Sequence, residues 1–587
     1  MAIFPAQKLS NLQNAMAYSY RKLAPFRNNR LSALKQYVGR RYGDNGAEAE
    51  VPMNLVELTI NVYKQHLANT PSVLATTRPF ELRAKANKLT LALNELIRRI
   101  HFGDTLEAVV MEAFVGLGIA KKGLDGSVQL EIEKQRHRGG MPFWDCVGLD
   151  NWVHDMTAKV FGNAQFMGNS YQIPYEDAMD SGIFGKAKDR IVKPGQCTLQ
   201  ETDQSLSGGD GPDRETLYDM IDLWDVWLPK EGVVVTFQSV GQGDDAFTGP
   251  ALHAYSWKGP EQGMYRTLSF HPVPGNIMPL PPAALWMDMH ELANRLFRKL
   301  GRQADRQKTV TGVRRAGVGD GDRIKKAADG EMVAMDDPNN VKEYKYGGIS
   351  QETLAFLIHV RDLYSYMRGN LDSLGGLSAQ SETLGQDKLL SESASQRIRD
   401  MQEKTENFAT AEITDLGEIL WYDPLIELPL IKRVPGTDIT VPVNFAPNDR
   451  QDEYFNYDIC IEPYSMRKHT PESRLNAIMQ VVNNTVIPMM PLLQQQGIGL
   501  NVEVLLKTIS KYARLPELEE ILIFADPQIQ SDQSVQSMSK SPTTTRNYVR
   551  RNVPGATRQG HDQLMQRLLM GGKLQASEAG SLTRSTG

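Results

Sequence analysis

The chain has 587 residues, of which 41% are apolar and 23% charged, and its formal net charge is −5. That length exceeds one compact core, so several domains are expected, and the mild acidity excludes a basic nucleic-acid coat. Cys146, Cys197 and Cys460 are far apart and form no CxxC pair. That argues against a disulfide framework or a zinc site and fits a reducing compartment.

The opening MAIFPAQKLSNLQNAM lacks the apolar centre of a signal peptide. The most apolar run, Leu106 to Ala120, contains Glu107 and Glu112 and is too short to span a bilayer. A cytosolic protein without a membrane span is expected. Residues 9–45 alternate helix formers with Arg and Lys and end in the turn-like Tyr42-Gly43-Asp44-Asn45-Gly46. Residues 52–70 and 82–117 read as two helices, with Leu89, Leu91, Leu93, Leu96, Ile97 and Ile100 of the second spaced mainly for one face. Val128, Leu130 and Ile132 then alternate with polar residues, as a half-buried strand does. From 145 to 275 the chain reads as β-rich, most clearly in LYDMIDLWDVWLP (217–229) and GVVVTFQSV (232–240), with a polar surface loop at 203–215.

At Pro281-Pro282 the pattern changes, because proline suits the first turn of a helix. Leu285, Met289, Leu292, Leu296 and Leu300 recur at three and four, and the helix fades near Lys308; some 25 residues give about 38 Å. Residues 309–347 read as a turn-rich module of short strands. Ser350 caps a second helix in which Leu354, Phe356, Leu357, Ile358, Val360, Leu363, Tyr364 and Met367 place apolar groups nearly all round. Such a helix must be covered on more than one side. The stretch SLGGLSAQSETLGQDKLLSESASQR (373–397) begins as a loop. After Gln386 it becomes a third helix of about 35 residues, roughly 50 Å long, which Asp423-Pro424 ends. Alternation returns over 438–465, helices are expected at 471–495 and 501–513, and 526–587 reads as a flexible basic tail.

Phosphate-binding and hydrolytic motifs are missing: there is no GxxxxGK[ST], HExxH, GxSxG or EF-hand pattern. Gly317-x-Gly319-x-Gly321 is expected in a turn rather than before a helix, which speaks against dinucleotide binding. Asp320-x-Asp322 reads as a solvated turn rather than a cation site, and His154-Asp155 as a surface or hydrogen-bonded histidine without a partner nucleophile. Neither a cofactor nor an enzymatic activity is expected.

The organisation itself is informative. Two helices of similar length flanking a small module should run antiparallel as a stalk, with the module at its tip. The helix that is apolar all round then needs neighbours beyond its own hairpin, most simply the same stalk of adjacent copies in a closed ring. In this order and spacing the chain resembles the portal proteins, or head-to-tail connectors, of tailed bacteriophages. PGNIMPLPPAALWMDMHELANRLFRKLGRQADRQK is similar to the run into the first stem helix. GVRRAGVGDGDRIKKAADGEMVAMDDPNNVKEYKYG resembles the clip, and LDSLGGLSAQSETLGQDKLLSESASQRIRDMQ the tunnel loop leading into the long wing helix. VVMEAFVGLGIAKKGL and VGLDNWVHDMTAKVFGNAQFMGNSYQIPYEDA are similar to the wing, and YDICIEPYSMRKHTPESRLNAIMQVV to the return through the wing into the crown. The likeness covers roughly residues 50–520, and the order of the pieces rather than any one motif carries it.

The resemblance implies a mixed α+β, predominantly α-helical fold. Its parts would be an N-terminal wing (1–280), stem helix 1 (281–308), a small α/β clip (309–348), stem helix 2 (349–370) and a tunnel loop (371–386). The long wing helix and wing strands (387–468), a helical crown (469–525) and the basic tail (526–587) would follow. It implies a ring, typically of twelve subunits, at one vertex of the virion capsid, assembled in the host cytoplasm beside the major capsid or scaffolding protein. Double-stranded DNA would pass through its channel without sequence specificity, and the clip would dock the terminase motor and then the head-tail adaptor and tail proteins. The channel-facing residues would be Ser373, Leu374, Gly375, Gly376, Leu377, Ser378, Gln380, Ser381, Glu382 and Thr383. Their stretch carries Asp372, Glu382 and Asp387 against Lys388 alone, which suits sliding rather than binding; the plainer reading is a surface connection between helices. The basic set Arg302, Arg306, Lys308, Arg314, Arg315, Arg323, Lys325 and Lys326 falls at the stalk end and clip. It would touch DNA, dock acidic motor or adaptor surfaces, or pair with neighbouring subunits. Other readings are a different viral head-tail structural protein, an adaptor or minor capsid protein, and a nucleic-acid-processing enzyme.

Overall fold

The computed structural model describes residues 5–42, 46–125, 129–132, 135–138, 140–180, 182–192, 218–240, 247–335, 337, 339, 341–368, 384–423, 426–433, 440–450 and 452–462. The chain divides into two compact units, Met1–Thr470 and Pro471–Gly587, and every described residue lies in the first. The expected loop residues 373–383, the helices at 471–495 and 501–513 and the tail therefore lie outside the described residues.

The first unit is mixed α+β, with helix outweighing strand. It opens with α1 (Ala6–Val38) and α2 (Leu55–Leu67). Asn54 caps α2 by accepting a hydrogen bond from Glu57 N. After strand β1 (Val73–Thr77) come α3 (Arg83–Arg99) and α4 (Phe102–Val115). Periodicity alone reads these last two as one helix. They are two because His101 sits in the left-handed region at φ 51°, which a helix interior does not tolerate. The turn lets α4 pack Phe102 flat against Trp144, with ring centroids 4.0 Å apart.

The β-rich region forms several small sheets rather than one. Strands β2 (Gly118–Asp125), β3 (Gln129–Ile132), β4 (Gln135–Arg138), β5 (Met141–Cys146), β6 (Trp152–His154) and β7 (Met167–Pro174) precede the short helix α5 (Tyr175–Asp180). Strands β8 (Met220–Leu228), β9 (Val233–Gln238), β10 (Ala251–Ser256) and β11 (Tyr265–Leu268) follow. The largest sheet has the order β10-β9-β8-β7-β6, β11-β2-β5 makes a second, and β3-β4 is a hairpin. The expected strands at 217–229 and 232–240 are β8 and β9, both buried along most of their length. α1 packs Leu12, Met16 and Leu23 into the apolar cluster that holds Trp152, Trp224 and Phe237 of the large sheet.

Next come α6 (Pro282–Asp305), β12 (Lys308–Val313), α7 (Val318–Lys326), β13 (Val341–Tyr346) and α8 (Gln351–Met367). The long helix α9 (Leu384–Tyr422) follows, then β14 (Leu428–Arg433), β15 (Thr440–Phe445) and β16 (Tyr457–Ile461). α9 starts at Leu384, two residues before Gln386, where sequence places the loop's end. β14 pairs with β15, and β16 returns to pair with β1, Val73 opposite Ile461. The module at 309–347 is not strands alone. A helix covers Val318 to Lys326, so Gly319 and Gly321 lie inside a helix that follows a strand and a turn. The strand is half of an antiparallel β12-β13 ribbon, not of the parallel unit a dinucleotide site requires. No helix among the described residues is long and apolar enough to cross a membrane.

A buried ionic cluster fixes α9 to the β11-β2-β5 sheet. Lys122 and Glu412 are fully buried and 3.1 Å apart; Lys122 also lies 2.6 Å from Asp415. Arg266 reaches Asp415 at 2.6 Å and Glu412 at 3.3 Å, and Trp144 Nε1 donates to Glu412 at 3.1 Å. Two cations face two carboxylates, so the charges balance where water is excluded. Burial nevertheless pushes the Glu412 carboxyl upward, partly opposed by Lys122 and Arg266.

Candidate functional site

The stalk is built as a hairpin. Pro281 caps α6 and Pro282 occupies its first turn, where a missing N–H costs nothing. Ser350 caps α8 by accepting from Thr353 N at 3.4 Å. Ser350 N donates to Gln303 Oε1 at 3.2 Å near the tip, and at the root Arg368 Nη2 donates to Leu285 O at 2.6 Å. The start of each helix therefore meets the end of the other, and the pair is antiparallel, with the β12-β13 ribbon joining them.

The root is held by polar side chains as well as packing. Asn294 bonds both backbone groups of Met53, accepting from its N at 2.9 Å and donating to its O at 3.0 Å. Tyr364 lies 2.9 Å from Thr59 Oγ1 and donates to Leu55 O at 3.1 Å, and Tyr63 donates to Arg368 O at 2.7 Å. The Arg368 guanidinium lies over Trp286 and Tyr364, at 5.7 and 5.3 Å from their centroids. Tyr364 and Arg368 thus tie the end of α8 to α2, while Asn294, midway along α6, holds Met53 just before α2.

Along α8 the stalk is largely uncovered by the described residues. On α8 only Leu357, Val360 and Tyr364 are buried, with Arg368 just beyond it; these share one row of a 3.6-residue helix. Phe356, Leu363 and Met367 form a second row on one flank of it, between 40% and 47% exposed. Leu354 and Ile358 lie on the opposite flank, 42% and 45% exposed, and Tyr366 faces away from the root at 71%. The expected all-round cover of this helix is not supplied by the described residues. α6 shows a different outer face. Opposite its buried Trp286, His290, Ala293 and Leu300 runs an exposed row of Arg295, Lys299, Arg302 and Arg306, preceded by Asp288 and Glu291.

The basic set is exposed, and Arg323 alone of it forms an ion pair among the described residues, with Asp320 at 3.4 Å. Asp320 is only 2% exposed and sits in α7, so it is a buried partner of Arg323 and not part of the solvated turn that its spacing suggested. Among the described residues no cluster of His, Cys, Asp and Glu could hold a metal.

His154 is fully buried, accepting from Trp152 Nε1 at 2.9 Å beside Phe161, while Asp155 turns away to accept from Thr157 and Gln165. The pair is structural. Burial lowers the His154 pKa from 6.5 to about 3 and that of His290 from 6.5 to about 4, helped by Arg298. Both rings are neutral when folded and protonate more readily when unfolded. Their stabilising contribution is therefore complete above the unfolded pKa and is lost as pH falls below 6.5 toward 4. Thermal midpoints measured across that window should fall with acidity, and His290→Gln should flatten the slope.

The chain matches no family model and no curated protein, so the geometry of the stalk is the main guide to its use.

Proposed function

We propose that the chain is the subunit of a portal ring at one vertex of a tailed-phage capsid. The ring would be the channel for double-stranded DNA in packaging and ejection. It would also be the platform on which the terminase motor, then the adaptor and tail proteins, dock, with the major capsid or scaffolding protein around it. One observation carries the reading: α8 bears separate exposed apolar rows on opposite flanks, uncovered by the described residues. Two unlike rows on opposite flanks complement each other head to tail, and a heterologous contact of that kind closes into a ring when its rotation divides a full turn. A two-fold dimer would cover one row and leave the other wet. The expected channel loop follows α8 directly, and its glycines and acidic balance suit contact without retention.

The experiment is a comparison of intact protein with a deletion of 375–383. Rings should persist in the deletion, because the rooting contacts of Arg368 and Tyr364 lie before it, while packaging or retention of DNA fails. Collapse of assembly would make the loop a structural element and remove its role in the channel.

A further inference from the structure

The β12-β13 ribbon has two unlike faces. On one, Val313 meets α7: a Cβ built on Gly321 would come within 2.6 Å of its side chain. Glu343 and Lys345 alternate onto that same face. On the other, the register sets Lys308 opposite Tyr346, Val310 opposite Tyr344 and Gly312 opposite Lys342. The Tyr344 ring lies across Gly312, where a Cβ would meet its edge at 2.5 Å, so glycine is what lets the ring lie down on the ribbon. Tyr344 and Tyr346 are close to parallel, 28° apart in plane with centroids at 6.1 Å. They remain 47% and 58% exposed. Both charged side chains on this face, Lys308 and Lys342, are cations, exposed and without an ion pair among the described residues. The chain reaches Lys308 from Arg302 of α6 and Arg306 at its end, both exposed and without an ion pair among the described residues.

We propose that this face binds unpaired nucleobases of a DNA strand end: the two tyrosines stack bases while Lys308 and Lys342 meet phosphates. Exposed aromatic rings beside cations, with no carboxylate among the described strand residues of that face, are the chemistry that holds single strands. A duplex offers its phosphates but hides its base faces, and an acidic peptide would use the lysines and leave the rings idle. That the strand is DNA rests on the portal reading; the chemistry of the face does not.

The test is fluorescence anisotropy of the full-length protein with a labelled single-stranded thymidine oligonucleotide and with a duplex of equal length. Assembly state is read by mass photometry on the same samples. The single strand should bind more tightly than the duplex. Tyr344→Ala with Tyr346→Ala should weaken it about tenfold or more, and Tyr344→Phe with Tyr346→Phe should keep it. Lys308→Ala with Lys342→Ala should weaken both ligands and reduce the salt dependence. Unchanged binding by the alanine variant, or equal displacement of the strand by polyglutamate, overturns the assignment. So does loss of rings in the alanine variant, which would make the face a subunit contact. Wild-type rings without preference for the single strand overturn it and leave the portal reading standing; tyrosine-dependent strand binding by protein that forms no ring does the reverse.

Discussion

Replacing Phe356 and Leu363 together by glutamate should convert assembled rings into single chains without unfolding them. Both side chains are about half exposed within the chain, at 47% and 40%, so a carboxylate there stays hydrated in the isolated subunit. Against a neighbour's stalk the same carboxylates would be desolvated without partners, and such groups are costly to bury. The lost apolar contact adds roughly 1 kcal/mol per residue, about half the value of a fully buried side chain, and the penalty repeats at every interface of a closed ring. Sedimentation should show the mass falling to one chain while the far-UV circular dichroism is unchanged. Leu357→Glu is the contrast. Leu357 is 6% exposed and belongs to the main apolar cluster, so that variant should destabilise the fold itself. Rings that survive the Phe356 and Leu363 changes would remove the flanks of α8 from the subunit contact.

The second large effect is on stability. Lys122→Met should destabilise the first unit by about 3–5 kcal/mol, because it leaves Glu412 and Asp415 buried with Arg266 as their only cation. Adding Glu412→Gln should restore much of the loss, since the remaining Arg266 and Asp415 then balance; a double-mutant cycle isolates the pair term. Denaturant midpoints followed by tryptophan fluorescence report it directly, because Trp144 donates to Glu412. Additive losses would mean that the two groups act independently and that α9 is held by packing alone.

The stalk was the most legible part of the fold, for physical reasons. Pro281-Pro282 and Ser350 announce helix starts by their backbone chemistry, and the apolar spacing of both helices is strong. The direction of the missing cover on α8 was not legible, because periodicity tells that a residue is apolar but not which neighbours a helix has. Three further misses have separate causes. His101 breaks α3 from α4 through one backbone angle that its neighbours in sequence do not signal. The helix at Val318–Lys326 was hidden by Gly319 and Gly321, poor helix formers, of which Gly321 packs against Val313. β1 is five residues long and gains its meaning from β16, nearly the whole unit away in sequence. The ionic cluster was equally hidden: Lys122, Arg266, Glu412 and Asp415 read as ordinary charges until three segments converge. Of the site, the exposure of the basic set was foreseeable from composition, whereas the Tyr344 and Tyr346 surface depends on cross-strand register.

The most direct measurement is electron microscopy of the purified protein at assembly concentration. Annular particles with a central channel, their stalks side by side around it, are the expected result. A monodisperse single chain, or a two-fold dimer joined through one flank of α8, would contradict the account.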